Sequence, residues 1–185
     1  FSRKVAGEVT TEQVVAANVD VLFVVMALDA DFSLRRLERY LLLVREGGAM
    51  PVVLLTKPDV SSDVPAQVAQ VAALAGDVAV HVVSPKHNHG LEHVAAYLTP
   101  GRTAALLGSS GVGKTTIINR LVVGGVRKTR EVRPSDSKGR HATIHRELVV
   151  LPSGGLLIDT PGMRELQLWD VNDAVRETFD DIEAL

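Results

Sequence analysis

There is no cysteine among the 185 residues. That excludes disulfide bonds and any thiolate-ligated zinc site within this chain, and it suits a cytoplasmic home. No apolar run approaches the ~18 residues that a membrane span requires, and no secretory signal is visible. Neither sign of charge dominates. Lys and Arg number 20 against 22 Asp and Glu, a net charge of −2, so overall charge argues neither for nor against nucleic acid. Repeats and low-complexity segments are also missing. What remains is an ordinary globular composition, 46% hydrophobic and 23% charged, at a length that suits one α/β domain.

Strand-like and helix-like patterns alternate along the chain. Residues 19–28 (VDVLFVVMAL) form a continuous apolar run whose Val and Phe content predicts a buried parallel strand. Ser33 then caps a helix with Leu34, Leu37, Tyr40, Leu41 and Val44 on one face, ended by Gly47-Gly48. Strands are expected at 51–55, 78–83 and 103–107, and helices at 65–75 and 91–98. Residues 10–17 (TTEQVVAA) carry a short capped-helix signal. Residues 124–146 read as a polar, basic loop. Strands at 147–151 and 156–159 are joined by the hairpin signal Pro152-Ser153-Gly154-Gly155. The expected fold is three-layer α/β, an open, mostly parallel sheet with helices on both faces.

Residues 108–116 read GSSGVGKTT and match G-x-x-x-x-G-K-[ST] between an apolar strand and a helix. In this phosphate-binding loop Gly108, Ser109, Ser110, Gly111, Val112 and Gly113 carry backbone N–H groups that turn inward around phosphate oxygens. The following helix adds its N-terminal dipole. Lys114 reaches the β- and γ-phosphates, the Thr115 hydroxyl binds Mg²⁺, and Thr116 completes the nucleotide-binding stretch.

In an open parallel sheet, ligands bind beyond the carboxyl ends of the strands, so each strand end is a candidate. Asp159-Thr160-Pro161-Gly162 follows one strand. There Asp159 can hold Mg²⁺ through water, and the Gly162 N–H can meet a γ-phosphate. Thr56-Lys57-Pro58-Asp59 follows another. The Asp59 carboxylate can accept from guanine N1–H and N2–H₂, a donor pair that adenine lacks, and the Lys57 stem can cover the base. By itself T-K-P-D is also a good type I turn. Ser84-Pro85-Lys86 ends a third strand, where backbone N–H groups would read guanine O6. His87, His89 and His93 have only Glu92 nearby and read as solvated surface, not as a metal set.

These elements resemble a GTPase signature in a permuted order, since the base-reading residues precede the phosphate loop. Moving the termini leaves such a site intact when both ends lie on the surface. Specifically, the chain resembles the ribosome-small-subunit-dependent GTPases, the RsgA/YjeQ family, through EQVVAANVD (12–20), RRLERYL (35–41), GSSGVGKT, the G-R-H-x-T element (139–143) and DTPGMREL (159–166). The resemblance implies a circularly permuted P-loop GTPase domain over 19–170. Residues 1–18 would be a linker from an upstream oligonucleotide-binding β-barrel, and 171–185 a helical connection to a C-terminal domain. Zinc is expected only in that domain. It implies GTP and GDP with Mg²⁺, hydrolysis stimulated by the small ribosomal subunit, a role in late subunit maturation, contact with rRNA, and a cytoplasmic monomer without membrane attachment.

Three departures from the family pattern stand out. Thr56 replaces the usual Asn, which weakens the expected brace of the base pocket. Pro85 replaces Ala and has no N–H to give to guanine O6; the Lys86 N–H is the substitute. The threonine triplet after G-R-H is reduced to Ala142, Thr143 and Ile144, leaving Thr143 as the expected Mg²⁺ and γ-phosphate ligand. Met163 stands where Ras-like enzymes orient water with Gln, and a thioether is a poor water ligand. His141 is the candidate in its place. Arg127, Lys128, Arg130, Arg133, Lys138, Arg140 and Arg146 outnumber Glu131 and Asp136, a run that can follow a phosphate backbone. Two other readings remain open at this point, a P-loop ATPase or kinase and a nucleotide-gated RNA-binding module with negligible turnover.

Overall fold

The computed structural model describes residues 2–5, 11–14, 18–124 and 147–159. At its centre is a six-stranded sheet. Its strands are β3 (Val21–Ala27), β4 (Met50–Thr56), β5 (Ala79–Val83), β6 (Thr103–Leu107), β7 (Glu147–Val150) and β8 (Leu156–Asp159). A separate antiparallel pair joins β1 (Ser2–Val5) to β2 (Thr11–Val14). The strand order in the large sheet is β5-β4-β3-β6-β8-β7. All pairs are parallel except the β7–β8 hairpin, which is antiparallel as its turn predicts.

β3 organises the core because all seven of its residues are buried. Side chains alternate across a strand. Leu22, Val24 and Met26 therefore pack with Leu37, Tyr40, Leu41 and Val44 of helix α1 (Leu34–Glu46) and with Val71 and Ala75 of helix α2 (Val64–Ala75). Val21, Phe23 and Val25 pack on the opposite face. Their partners are Leu91 and Val94 of α3 (Leu91–Ala95) and Ile117 and Ile118 of α4 (Lys114–Gly124). The chain moves outward from β3 to β4 and β5, then returns to place β6 on β3's other side. This reversal leaves a crevice beyond the carboxyl ends of β3 and β6, the switch point where open α/β sheets bind ligands.

Local signals explain most boundaries. The Ser33 hydroxyl accepts the Arg36 N–H and caps α1, and the Asp63 carboxylate caps α2 through the Ala66 N–H. The short capped helix expected at 10–17 is corrected by β2. Thr11–Val14 pairs instead with Ser2–Val5 in the register Lys4↔Glu12. An eight-residue helix is marginal alone, and the ladder with β1 pairs the backbone of this stretch instead. Helix α3 ends at Ala95, short of the expected 98. The Tyr97 and Leu98 N–H groups tighten there onto Val94 O and Ala95 O, which still buries Leu98. No helix among the described residues is long and apolar enough to cross a membrane.

The two-faced core makes a direct prediction. Leu106→Ala, at a fully buried β6 position, should lower the unfolding free energy in urea by about 2–5 kcal/mol. Leu148→Ala on the edge strand β7, where the side chain is 59% exposed, should cost about 0.5 kcal/mol or less.

Candidate functional site

Three segments widely separated in the chain meet at the crevice. A cavity of about 390 Å³ is lined by Thr56, Lys57, Asp59 and Val60 after β4, by Ser84, Pro85 and Lys86 after β5, and by Gly111, Val112, Gly113 and Thr116 from the phosphate loop and α4. All but Val60 are residues that the sequence marks for nucleotide binding. Val60 is an exposed apolar residue directly after T-K-P-D, and that position was its only signal.

The base side is built on a strained turn. Lys57 has φ 56°, in the left-handed region that costs a non-glycine residue. That conformation turns the chain from β4 into the 3₁₀ turn Pro58–Val60, which carries Asp59. A hydrogen bond from its own backbone N–H holds the Asp59 carboxyl below the usual carboxylate range. The Lys86 ammonium, 3.4 Å from Asp59 Oδ2, adds to this. Pro85 opens the 3₁₀ turn Pro85–His87, so the first N–H of that turn is that of Lys86. The Ser84 hydroxyl is paired with His87 Nδ1 at 2.9 Å.

Thr56 behaves differently from the sequence expectation. The Thr56 hydroxyl donates to Val112 O of the phosphate loop at 2.6 Å and lies 3.3 Å from Met26 O, with the residue only 1% exposed. This bond ties the end of β4 to the phosphate loop. The sequence alone could not show that the β4 end and the loop approach closely enough for so short a side chain.

The phosphate loop follows β6 and leads into α4. Gly108 packs against β3 so closely that a Cβ there would stand 2.3 Å from Val25 O, a backbone atom that cannot retreat. Gly111 and Gly113 have φ of 79° and 103°, conformations open to glycine. Ser109 is buried and Ser110 exposed at the loop. Lys114 is buried, and its Nζ donates to Gly108 O and Ser109 O at 2.8 Å each. Burial lowers its ammonium to about 8, with the Asp159 carboxylate acting in the opposite direction.

The Thr115 hydroxyl lies 3.4 Å from Asp159 Oδ2, which is buried at the end of β8. A hydroxyl and a carboxylate beside a phosphate loop are hard oxygen donors that fit Mg²⁺. That ion takes one or two protein oxygens and completes its shell with phosphate and water. His87, His89 and His93 are exposed, and among the described residues no group of three His, Cys, Asp or Glu gathers into a metal site. His141, Thr143, Gly162, Met163 and the basic stretch 127–146 lie outside the described residues.

The sequence matches the profile of the RsgA GTPase family over residues 1–169. The chain belongs to the RsgA GTPase family. Among curated relatives, "Small ribosomal subunit biogenesis GTPase RsgA" of Opitutus terrae is 48% identical over 186 aligned residues, covering all of this chain and 51% of that protein. The protein of that name from Xanthomonas campestris pv. campestris is 49% identical with the same coverage. That from Methanosarcina acetivorans is 45% identical, over 98% of this chain and 49% of the relative. The chain thus spans about half the length of the RsgA proteins it matches. Two solved structures share the fold. YjeQ from Thermotoga maritima matches with a TM-score of 0.62 at 24% identity, over 82% of this chain and 50% of that one. YloQ, described as a circularly permuted GTPase, matches at 0.57 and 26%, over 90% and 53%. The order found here, base-side strands β4 and β5 before the phosphate loop, is that of a permuted RsgA-type domain.

Two predictions follow from the geometry. Thr56→Val keeps the shape but leaves the Val112 carbonyl unsatisfied in a buried place, so unfolding should become easier by about 1–3 kcal/mol in denaturant titrations. The second concerns pH. A phosphate beside Lys114 favours its charged form, so binding takes up a proton wherever the free protein has lost it. In magnesium-free buffer, nucleoside diphosphate affinity by calorimetry should therefore weaken about fourfold from pH 7 to pH 8.5.

Proposed function

We propose that this chain is the GTP-hydrolysing unit of a protein that acts in late maturation of the small ribosomal subunit, converting GTP and water to GDP and phosphate. The supporting observation is the convergence of the T-K-P-D turn, the S-P-K turn and the phosphate loop on one cavity, together with the 3.4 Å approach of the Thr115 hydroxyl, just after the loop, to Asp159. Residues 19–170 form the GTPase unit. Residues 1–18 and 171–185 connect it to flanking domains, the second of which carries zinc.

In this reading Asp59 accepts the guanine N1–H and N2–H₂, Lys57 covers the base, and the Lys86 N–H meets O6 in place of the donor lost at Pro85. Gly108 to Gly113 surround the phosphates with backbone N–H groups, and the Lys114 ammonium leaves the loop carbonyls for phosphate oxygens. Thr115, Thr143 and, through water, Asp159 hold Mg²⁺, which supplies neutralisation of charge that builds on the phosphates. His141 holds the attacking water, and the Gly162 N–H meets the γ-phosphate. The basic stretch 127–146 contacts rRNA, which links turnover to subunit binding. The protein works as a cytoplasmic monomer.

The test compares nucleotides and then partners. The unmodified chain should bind GDP and GTP and not ADP or ATP, and Asp59→Asn should shift preference from guanine toward xanthine. In the full-length protein, added small ribosomal subunits should raise kcat, less so as salt rises, and His141→Ala should remove most of that gain. Equal affinity for ATP and GTP would overturn the guanine reading. Subunit-independent turnover would overturn the ribosomal one.

A further inference from the structure

β3 is followed by Leu28-Asp29-Ala30-Asp31, at the switch point between the T-K-P-D side and the phosphate-loop side. No step of the proposed hydrolysis uses these two carboxylates, yet each is engaged with a different half of the site. On the β4 side, Asp29 Oδ2 accepts from Lys57 Nζ at 2.8 Å. That pairing is the main reason the Asp29 carboxyl sits below its ordinary range. On the β6 side, Asp31 accepts from Arg36 Nη1 at 2.6 Å through Oδ2 and at 3.2 Å through its backbone oxygen. The same Arg36 nitrogen donates to Ser109 Oγ of the phosphate loop at 2.8 Å. The two carboxylates share one turn, because Asp29 Oδ1 accepts the Asp31 N–H at 2.9 Å.

We propose that Asp29 and Asp31 are positioning residues, a bracket that holds Lys57 at the base and, through Arg36, Ser109 in the phosphate loop. The proposal rests on the guanine-nucleotide reading of the site. A free lysine stem must be ordered when a base arrives, and that ordering opposes binding. Pairing with Asp29 sets the stem beforehand, at a residue whose left-handed backbone already aims it. The Arg36 guanidinium does the same for the loop. Its Nη1 group bridges Asp31 and Ser109. Because both carboxylates stand on one turn at the end of the most buried strand, the two halves of the site are held at a common distance.

The test is a double-mutant cycle read by titration of the 185-residue chain with a fluorescent N-methylanthraniloyl derivative of GDP. Asp29→Asn should weaken binding roughly tenfold, by release of Lys57 from a close charge pair. In a Lys57→Met background the same substitution should change affinity less than about twofold, because the partner is already gone. Asp31→Asn should likewise lose its effect in an Arg36→Met background. A residue that merely stabilises the fold would cost as much in either background, and that result overturns the bracket. Asp29→Ser repeats the cycle should the amide disturb the turn. If the unmodified chain binds the probe and Asp29→Asn and Asp29→Ser leave affinity unchanged, the bracket is overturned alone. If the unmodified chain fails to bind the probe, the guanine reading falls and the bracket with it.

Discussion

The site depends on one constraint, the burial of β3 on both faces with parallel neighbours on both edges. A strand in that position cannot shift register by one residue without driving each packed row of side chains into the opposite helix layer. Its carboxyl end is therefore a fixed point. β4 and β6 take their registers from it, Val21 facing Met50 on one side and Ala104 on the other. The T-K-P-D turn and the phosphate loop are set at the ends of those two strands. Gly108 shows how tight the arrangement is, since the loop begins where only a hydrogen fits against Val25 O.

The order of the segments along the chain matters less than their order across the sheet. Here the base-side turns come first and the phosphate loop after them, yet all line one cavity. A parallel sheet permits this because every strand delivers its carboxyl end to the same edge, whichever strand the chain reaches first. What the permuted order changes is the covalent neighbourhood. Residues 91–107 run from α3 into the phosphate-loop strand, so an element after the T-K-P-D and S-P-K turns becomes the lead into the phosphate loop.

Hydrogen bonds made by side chains then join the halves. Thr56 crosses from β4 to the phosphate loop, and Asp31 and Arg36 cross from the β3 end to the same loop. Each is short and buried or half-buried, which makes its geometry depend on the sheet more than on the residues next to it. An ammonium held by loop carbonyls, as at Lys114, is the same principle applied within a single loop.

Sequence alone was enough for the alternation of strands and helices, the phosphate loop, the strand-end candidates and the family. Those features rest on local periodicity and on residue types with few other uses, such as glycines at positive φ before a lysine. The extended state of Thr11–Val14 was not legible, because a ladder partner outweighed a weak local helix signal. Neither was the brace made by Thr56. Its hydroxyl reaches Val112 O because packing brings the end of β4 against the phosphate loop, which no local pattern shows. Asp29 and Asp31 carried no motif of their own, and Arg36 stood in the RRLERYL stretch with no role assigned to it. An acidic residue at a strand end is common in any sequence, and only the sheet order decides that Lys57 stands beside one and Ser109 beside the next. The sequence by itself determined which segments are the candidates for phosphate and base. The tertiary structure alone decided which residues hold those segments together, because such bonds join residues distant in the chain whose spacing is set by packing.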